Sequence, residues 1–174
     1  MSENQIVYII GFMGSGKSTA GKKLASLLDW KFIDLDKHIE EITGKSISEI
    51  FTGNGEDFFR ETESRLLRNL KTHTHTIIAT GGGTPCYSDN MEFMLNSGLT
   101  IYLKMTPGQL KSRLSGAKDE RPLIKDIRPE DLQKYIEKKL DDRVKCYERS
   151  EKIVDGMNLD INKVFNYIKS RLND

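Results

Sequence analysis

Cysteine is scarce in this chain, and the scarcity excludes a good deal. Two cysteines occur in 174 residues, Cys86 and Cys146. They lie far apart and form no metal-like cluster, so they read as free thiols in a reducing compartment. Of the three histidines, His73 and His75 form an alternating pair with no third ligand nearby, and neither is given a metal role. Net charge is also lacking: the formal value is +1, which leaves no electrostatic case for nucleic acid or a membrane surface as partner. No apolar run approaches the roughly 20 residues that span a bilayer. The opening Met-Ser-Glu-Asn has neither the basic nor the apolar region of a secretion signal. The chain shows no internal repeat and no low-complexity linker. A cytoplasmic protein is expected.

What is present fits one globular domain over residues 1–174, with 37% hydrophobic and 30% charged residues. Its centre is Gly11-Phe12-Met13-Gly14-Ser15-Gly16-Lys17-Ser18-Thr19, a match to the P-loop pattern. The flanks supply the context that the pattern needs. Gln5 to Ile10 is a β-branched and aromatic run suited to a buried strand, and Ala20, Leu24, Leu27 and Leu28 recur at helical spacing. A strand, a glycine turn and a helix N-terminus aim successive N–H groups and the helix dipole at one phosphate-sized concavity. Gly14, Ser15, Gly16, Lys17, Ser18 and Thr19 are the candidate nucleotide contacts. Lys17 would serve the outer phosphates, and Ser18 would offer a hydroxyl to Mg²⁺.

Further elements follow in alternation. Trp30 to Asp34 reads as a strand and Lys37 to Thr43 as a helix stopped by Gly44. Ser46 caps a short helix, Gly53-Asn54-Gly55 breaks it, and Glu56 to Lys71 is the next helix. Thr76 to Thr80 is a strand running into Gly81-Gly82-Gly83. Ser88 to Asn96 is helical, Leu99 to Lys104 a strand, and Thr106-Pro107 opens a helix that fades near Gly116. Ala117 to Arg128 is charged and irregular. A helix follows from Pro129 to about Arg149, then a strand at Lys152 to Asp155 and a helix at Ile161 to Leu172. Alternation of this kind predicts an α/β fold, a parallel sheet with helices on both faces and ligands at the strands' C-terminal ends. The P-loop, Asp34 with Asp36, and the Gly81 triplet all fall at that edge.

Helical phase, at about 100° per residue, separates some charges from ordinary solvated ones. In Glu56 to Lys71 the apolar arc is set by Phe59, Leu66, Leu67 and Leu70. Glu63 falls inside it and Arg60 at its edge, three residues apart, whereas Glu61, Arg65 and Arg68 point away. In Pro129 to Arg149 the arc runs through Leu132, Tyr135, Ile136, Leu140, Val144 and Tyr147, and Arg143 lies near its centre. Arginine is rarely buried alone. One such residue suits a structural ion pair; two beside a phosphate site suggest an anion pocket. Asp34 and Asp36 share a face if the strand continues. They are either solvated turn residues or carboxylates that hold Mg²⁺ waters and accept a hydroxyl proton. The Gly81 triplet is a flexible turn or a backbone that nears a ligand. Arg121 is a solvated residue or part of a mobile lid over the phosphates.

Taken together, the P-loop, Asp34-x-Asp36, Phe59-Arg60 with Glu63, the Gly81 triplet, Arg121-Pro122-Leu123, and Arg143 followed by Tyr147 resemble the shikimate kinase family. They occur in the family's order over about residues 6 to 150. The resemblance implies a P-loop three-layer α/β/α sandwich with a five-stranded parallel sheet, related to nucleoside monophosphate kinases. It implies a mobile lid at about 116–128 and a small substrate-binding helical region at about 34–60. The implied reaction transfers the γ-phosphate of ATP, with Mg²⁺, to the 3-hydroxyl of shikimate in aromatic amino acid biosynthesis, by an expected monomer.

Carried over residue by residue, Gly14 to Thr19 bind ATP, Ser18 ligates Mg²⁺ and Asp34 holds a metal-bound water. Asp36 takes the shikimate hydroxyls, Arg60 and Arg143 clamp its carboxylate, the Gly82 backbone touches it, Glu63 orients this network, and Arg121 reaches ATP. Lys17, Asp34, Asp36 and Arg121 form the implied catalytic set. The chain departs from the pattern in three places. Val144-Lys145-Cys146 stands where proline is frequent. The adenine-loop pattern near Val154-Asp155-Gly156-Met157 is weak. Thr84-Pro85 follows the glycine triplet where a small residue and valine are commoner. A gluconate kinase of the same fold, or a nucleotide-dependent switch without transfer activity, would share the P-loop. Neither would require the inward arginines.

Overall fold

The computed structural model describes residues 5–116 and 124–173. Strand β1 (Ile6–Ile10) is buried along its whole length, as its unbroken apolar run demands. It is the central strand of a five-stranded sheet that also contains β2 (Lys31–Asp34), β3 (Thr76–Ala79), β4 (Leu99–Lys104) and β5 (Lys152–Asp155). The spatial order is β2-β3-β1-β4-β5, and every pairing is parallel. Ile9 of β1 is level with Ala79 on one side and Ile101 on the other. The strand order turns at β1, which opens a crevice beyond its C-terminal end.

Alternation along β1 assigns its side chains to two cores. Val7 and Ile9 pack with Ala20, Leu24 and Ala25 of α1 (Lys17–Leu28) and with Val164 and Ile168 of α7 (Ile161–Asn173). Ile6, Tyr8 and Ile10 face the larger core. That core is built from α2 (Leu35–Thr43), α3 (Ile47–Asn69), α4 (Asn90–Ser97), α5 (Pro107–Ser115) and α6 (Leu132–Tyr147). The result is the three-layer α/β/α arrangement that the alternating elements imply.

Local chemistry sets most boundaries. Ser46 and Glu49 form a reciprocal capping box on α3, and Thr106 with Gln109 forms another on α5. Gly44 ends α2 in the left-handed conformation. β2 ends at Asp34 as expected, and Asp34-Leu35-Asp36 does not continue as strand: Asp34 is also the N-cap of α2, its carboxylate accepting from the Lys37 N–H at 3.4 Å, and the fully buried Leu35 starts the helix ahead of the expected Lys37. Asp36 therefore lies in a helix's first turn, not across a pleat from Asp34. Arg68, placed in solvent by helical phase, is half-buried and reaches across to the 89–90 region. The last long helix also starts later than expected, at Leu132.

Helix α3 is kinked at Gly55, where φ is 85° and ψ is 170°. This region is open essentially to glycine alone. A Cβ at Gly55 would meet nothing within 4 Å, so only the backbone resists substitution. Gly55→Ala is expected to lower the unfolding free energy by about 1–3 kcal/mol, read from urea denaturation. An unchanged midpoint would mean that the kink relaxes without strain.

Candidate active site

The phosphate-binding geometry begins with two glycines. Gly14 (φ 81°) and Gly16 (φ 89°) take conformations that a side chain resists, and Gly16 is the N-cap of α1. The turn brings the Ser15 N–H to the Phe12 carbonyl at 3.1 Å and folds the Lys17 ammonium back onto the same carbonyl at 2.9 Å. The Ser15 hydroxyl is buried without a hydrogen-bond partner among the described residues, so it is available to a ligand oxygen. Ser18 Oγ donates to Asp34 Oδ2 at 2.5 Å. A hydroxyl and a carboxylate at the edge of an anion cradle form an oxygen donor set. Such a set suits Mg²⁺, which binds through few protein ligands together with phosphates and water. The described residues contain no cluster of three or more His, Cys, Asp or Glu that would form an all-protein cage.

Two cavities adjoin here. The first, about 410 Å³, is lined by the P-loop and by Arg113. The second, about 680 Å³, is lined by residues that include Phe51, Phe59, Arg60, Glu63, Lys125 and Arg143. Met13, Ser18, Asp34, Asp36, Gly81 and Gly82 line both. The P-loop compartment and the compartment that holds Arg60 and Arg143 thus meet at two carboxylates.

Arg60 and Glu63 are buried, and Arg60 Nη1 donates to Glu63 Oε2 at 2.8 Å. Arg143 lies over the Phe12 ring at 5.6 Å. One turn further along α6, the Tyr147 hydroxyl donates to the Gly82 carbonyl. Burial pushes the Tyr147 phenol well above its usual range, so it remains a donor. The glycine triplet is explained by the site's own side chains. A Cβ on Gly81 would stand 2.8 Å from Thr84 Oγ1, 2.9 Å from Glu63 Oε1 and 3.1 Å from Asp36 Oδ1. One on Gly83 would run into the Arg60 guanidinium.

All the sequence-predicted residues that are described line this pair of cavities or the P-loop itself. Arg121 and the rest of 117–123 lie outside the described residues. The sequence gives no reason to choose Arg113, an exposed residue on α5 indistinguishable from a solvated arginine. It also passes over Thr84 and Asn90, each 0% exposed. For Asn90 a faint signal exists, since it precedes Met91 and Met94 on a buried face. The two thiols are free but not remote: Cys146 Sγ donates to the Pro85 carbonyl at 3.1 Å and Cys86 Sγ to the Arg143 carbonyl at 4.0 Å, joining the 84–86 turn to α6 beside Arg143.

The Asp36 carboxyl is pushed up to about 6, first by enclosure in the cleft, then by the Glu63 and Asp34 charges; Lys17 and Arg60 offset part of this. Asp36 is open to the cleft, though the walls of both cavities surround it. A folded-state value above the unfolded one penalises the fold as pH rises through it. Asp36→Asn should therefore match the parent in stability below about pH 4 and exceed it increasingly up to about pH 6. Above that the gain should stay constant at about 1 kcal/mol, after allowance for screening by cavity water. Thermal melts across that range check this; a gain that shrinks as pH rises contradicts it.

Comparison with known proteins agrees with this geometry. A family profile described as shikimate kinase matches residues 13–173. A shikimate kinase of Parabacteroides distasonis is 43% identical over 144 residues, covering 83% of each chain. The crystal structure of shikimate kinase from Bacteroides thetaiotaomicron superposes with a TM-score of 0.89 at 36% identity, over 98% of this chain and 99% of that one. The shikimate kinase of Acinetobacter baumannii in complex with shikimate gives 0.85 at 29% identity, over 97% and 93%. With a P-loop opening onto a second compartment walled by arginines, and with relatives of this likeness along nearly its whole length, the chain belongs to the shikimate kinase family.

Proposed function

We propose that this chain transfers the γ-phosphate of ATP to the 3-hydroxyl of shikimate, giving shikimate 3-phosphate and ADP. The carrying observation is the shared wall of the two cavities, where Ser18, Asp34, Asp36 and Gly82 stand between the P-loop and the two arginines. The P-loop N–H groups and Lys17 hold the phosphates and offset charge that grows on them during transfer. Ser18 would hold Mg²⁺, with Asp34 fixing one of its waters. When bound, the metal neutralises phosphate charge. Arg121 acts from the lid, about 116–128, on ATP. Arg60 and Arg143 grip the acceptor carboxylate from two helices, with Glu63 setting the aim of Arg60 and the Gly82 backbone closing the wall. Asp36 aligns the hydroxyl and, ionised above about pH 6, can accept its proton.

The working unit is the whole chain as a single kinase domain, with about 34–60 as its acceptor region. It acts as a cytoplasmic monomer without nucleic-acid or membrane partners. No described helix is long and apolar enough to cross a membrane.

ADP release with shikimate, with gluconate and with no acceptor tests the assignment. Only shikimate should support turnover, and equal or greater release with gluconate would overturn the assignment. Lys17→Ala should remain folded and lose turnover. Arg60→Lys and Arg143→Lys should each raise KM for shikimate about ten- to a hundredfold, with KM for ATP little changed, because lysine cannot reproduce paired hydrogen bonds. kcat/KM for shikimate should fall as pH drops through about 6, since Asp36 loses its acceptor form in that direction.

A further inference from the structure

We infer that Thr84 is a positioning residue for acceptor recognition: its hydroxyl locks the Glu63 carboxylate and thereby the aim of Arg60. The inference rests on the reading of the second cavity as the shikimate compartment.

Glu63 is 0% exposed, so water cannot satisfy its oxygens. Arg60 Nη1 occupies Oε2 at 2.8 Å, and Thr84 Oγ1 donates to Oε1 at 2.5 Å. A glutamate carboxylate turns easily about its last torsion. With Arg60 alone it could swing, and the guanidinium with it. A second donor on the other oxygen removes that freedom. Threonine suits this role because its branched Cβ restricts the rotamer that presents the hydroxyl.

The rest of the turn is held just as firmly. The Thr84 N–H donates to the Gly81 carbonyl at 3.2 Å, and its own carbonyl accepts from Asn90 Nδ2 at 2.9 Å. Asn90 Oδ1 in turn accepts from Ser64 Oγ and Arg68 Nη1, each at 2.7 Å. Ser64 and Arg68 lie on α3, the helix that carries Arg60 and Glu63. Two polar links therefore tie α3 to the 81–84 turn: Glu63 to the Thr84 side chain, and Ser64 with Arg68 through Asn90 to the Thr84 backbone. The first depends on the hydroxyl. The second does not, so the turn should persist without it. Losing the hydroxyl leaves Glu63 Oε1 short of a donor in a buried site, and the carboxylate is free to re-aim.

Replacement of Thr84 separates this role from packing. Thr84→Val keeps the shape and removes the hydroxyl, whereas Thr84→Ser keeps the hydroxyl and removes the methyl. Thr84→Val should raise KM for shikimate about tenfold, with KM for ATP changed less than about twofold, and Thr84→Ser should stay near the parent. The opposite order, with Val near the parent and Ser impaired, would falsify the inference in favour of core filling. Should Val not fold, Thr84→Ala against Thr84→Ser gives the same contrast, since they differ in the hydroxyl alone. A tenfold KM difference between them supports positioning, and equal values overturn it. In an Arg60→Lys background, Thr84→Val should add little to KM, whereas a fully additive effect would show that Thr84 does not act through Arg60. Calorimetric titration of the parent with shikimate comes first. No binding there would sink the substrate assignment itself, before any Thr84 variant is compared.

Discussion

Glu63 is a carboxylate with no exposed surface, and the acceptor side of the molecule is arranged to keep it matched. A buried charge left without partners would be strongly destabilising. Arg60 meets one oxygen and Thr84 the other. Those two contacts explain neighbours that otherwise look arbitrary. Gly81 has no side chain because Glu63, Thr84 and Asp36 fill that space, and Gly83 has none because Arg60 does. Asp36 is held at a high pKa partly because Glu63 is near. The same buried charge thus orients a cation and tunes a candidate proton acceptor.

The sheet decides where this arrangement can sit. β1 delivers the P-loop, β2 delivers Asp34, and β3 delivers the glycine triplet, all at the same edge. Neighbouring strands are about 4.8 Å apart, so those three contributions are forced within reach of one another whatever the intervening helices do. Arg60 and Arg143 come from helices on the larger-core side, which places their compartment beside that of the P-loop.

How much of this is legible in the sequence depends on range. The P-loop is local: strand, glycines, lysine and helix occupy one short run, and its geometry is encoded within it. The inward turn of Arg60, Glu63 and Arg143 is also readable, because helical period marks a charge on an apolar face. Two local readings fall short for physical reasons. Asp34 closes β2 and caps α2 at once, and the burial of Leu35 starts that helix ahead of the expected Lys37. Arg68 points away from its own helix's core but finds Asn90 and Asp89, which only the fold brings near. Thr84, Asn90 and the contact of Cys146 with the Pro85 carbonyl are long-range matches. Each residue looks ordinary until its partner's position is known. Arg113 carries no periodic or motif signal at all.

The placement of β1 bears on how the chain acquires its shape. Of the five strands, the first in chain order is the one that must end in the middle, hydrogen-bonded to strands that begin only at Thr76 and Leu99. Until those segments exist, the most apolar stretch of the N-terminal region has no sheet to join, and the phosphate loop at its end has no fixed frame. Parallel pairing across such separations forms slowly, because long loops must close before any contact rewards them. During synthesis the Ile6–Ile10 segment therefore stays unpaired until Thr76 and Leu99 have been made, the interval in which unpaired apolar strands are prone to aggregate.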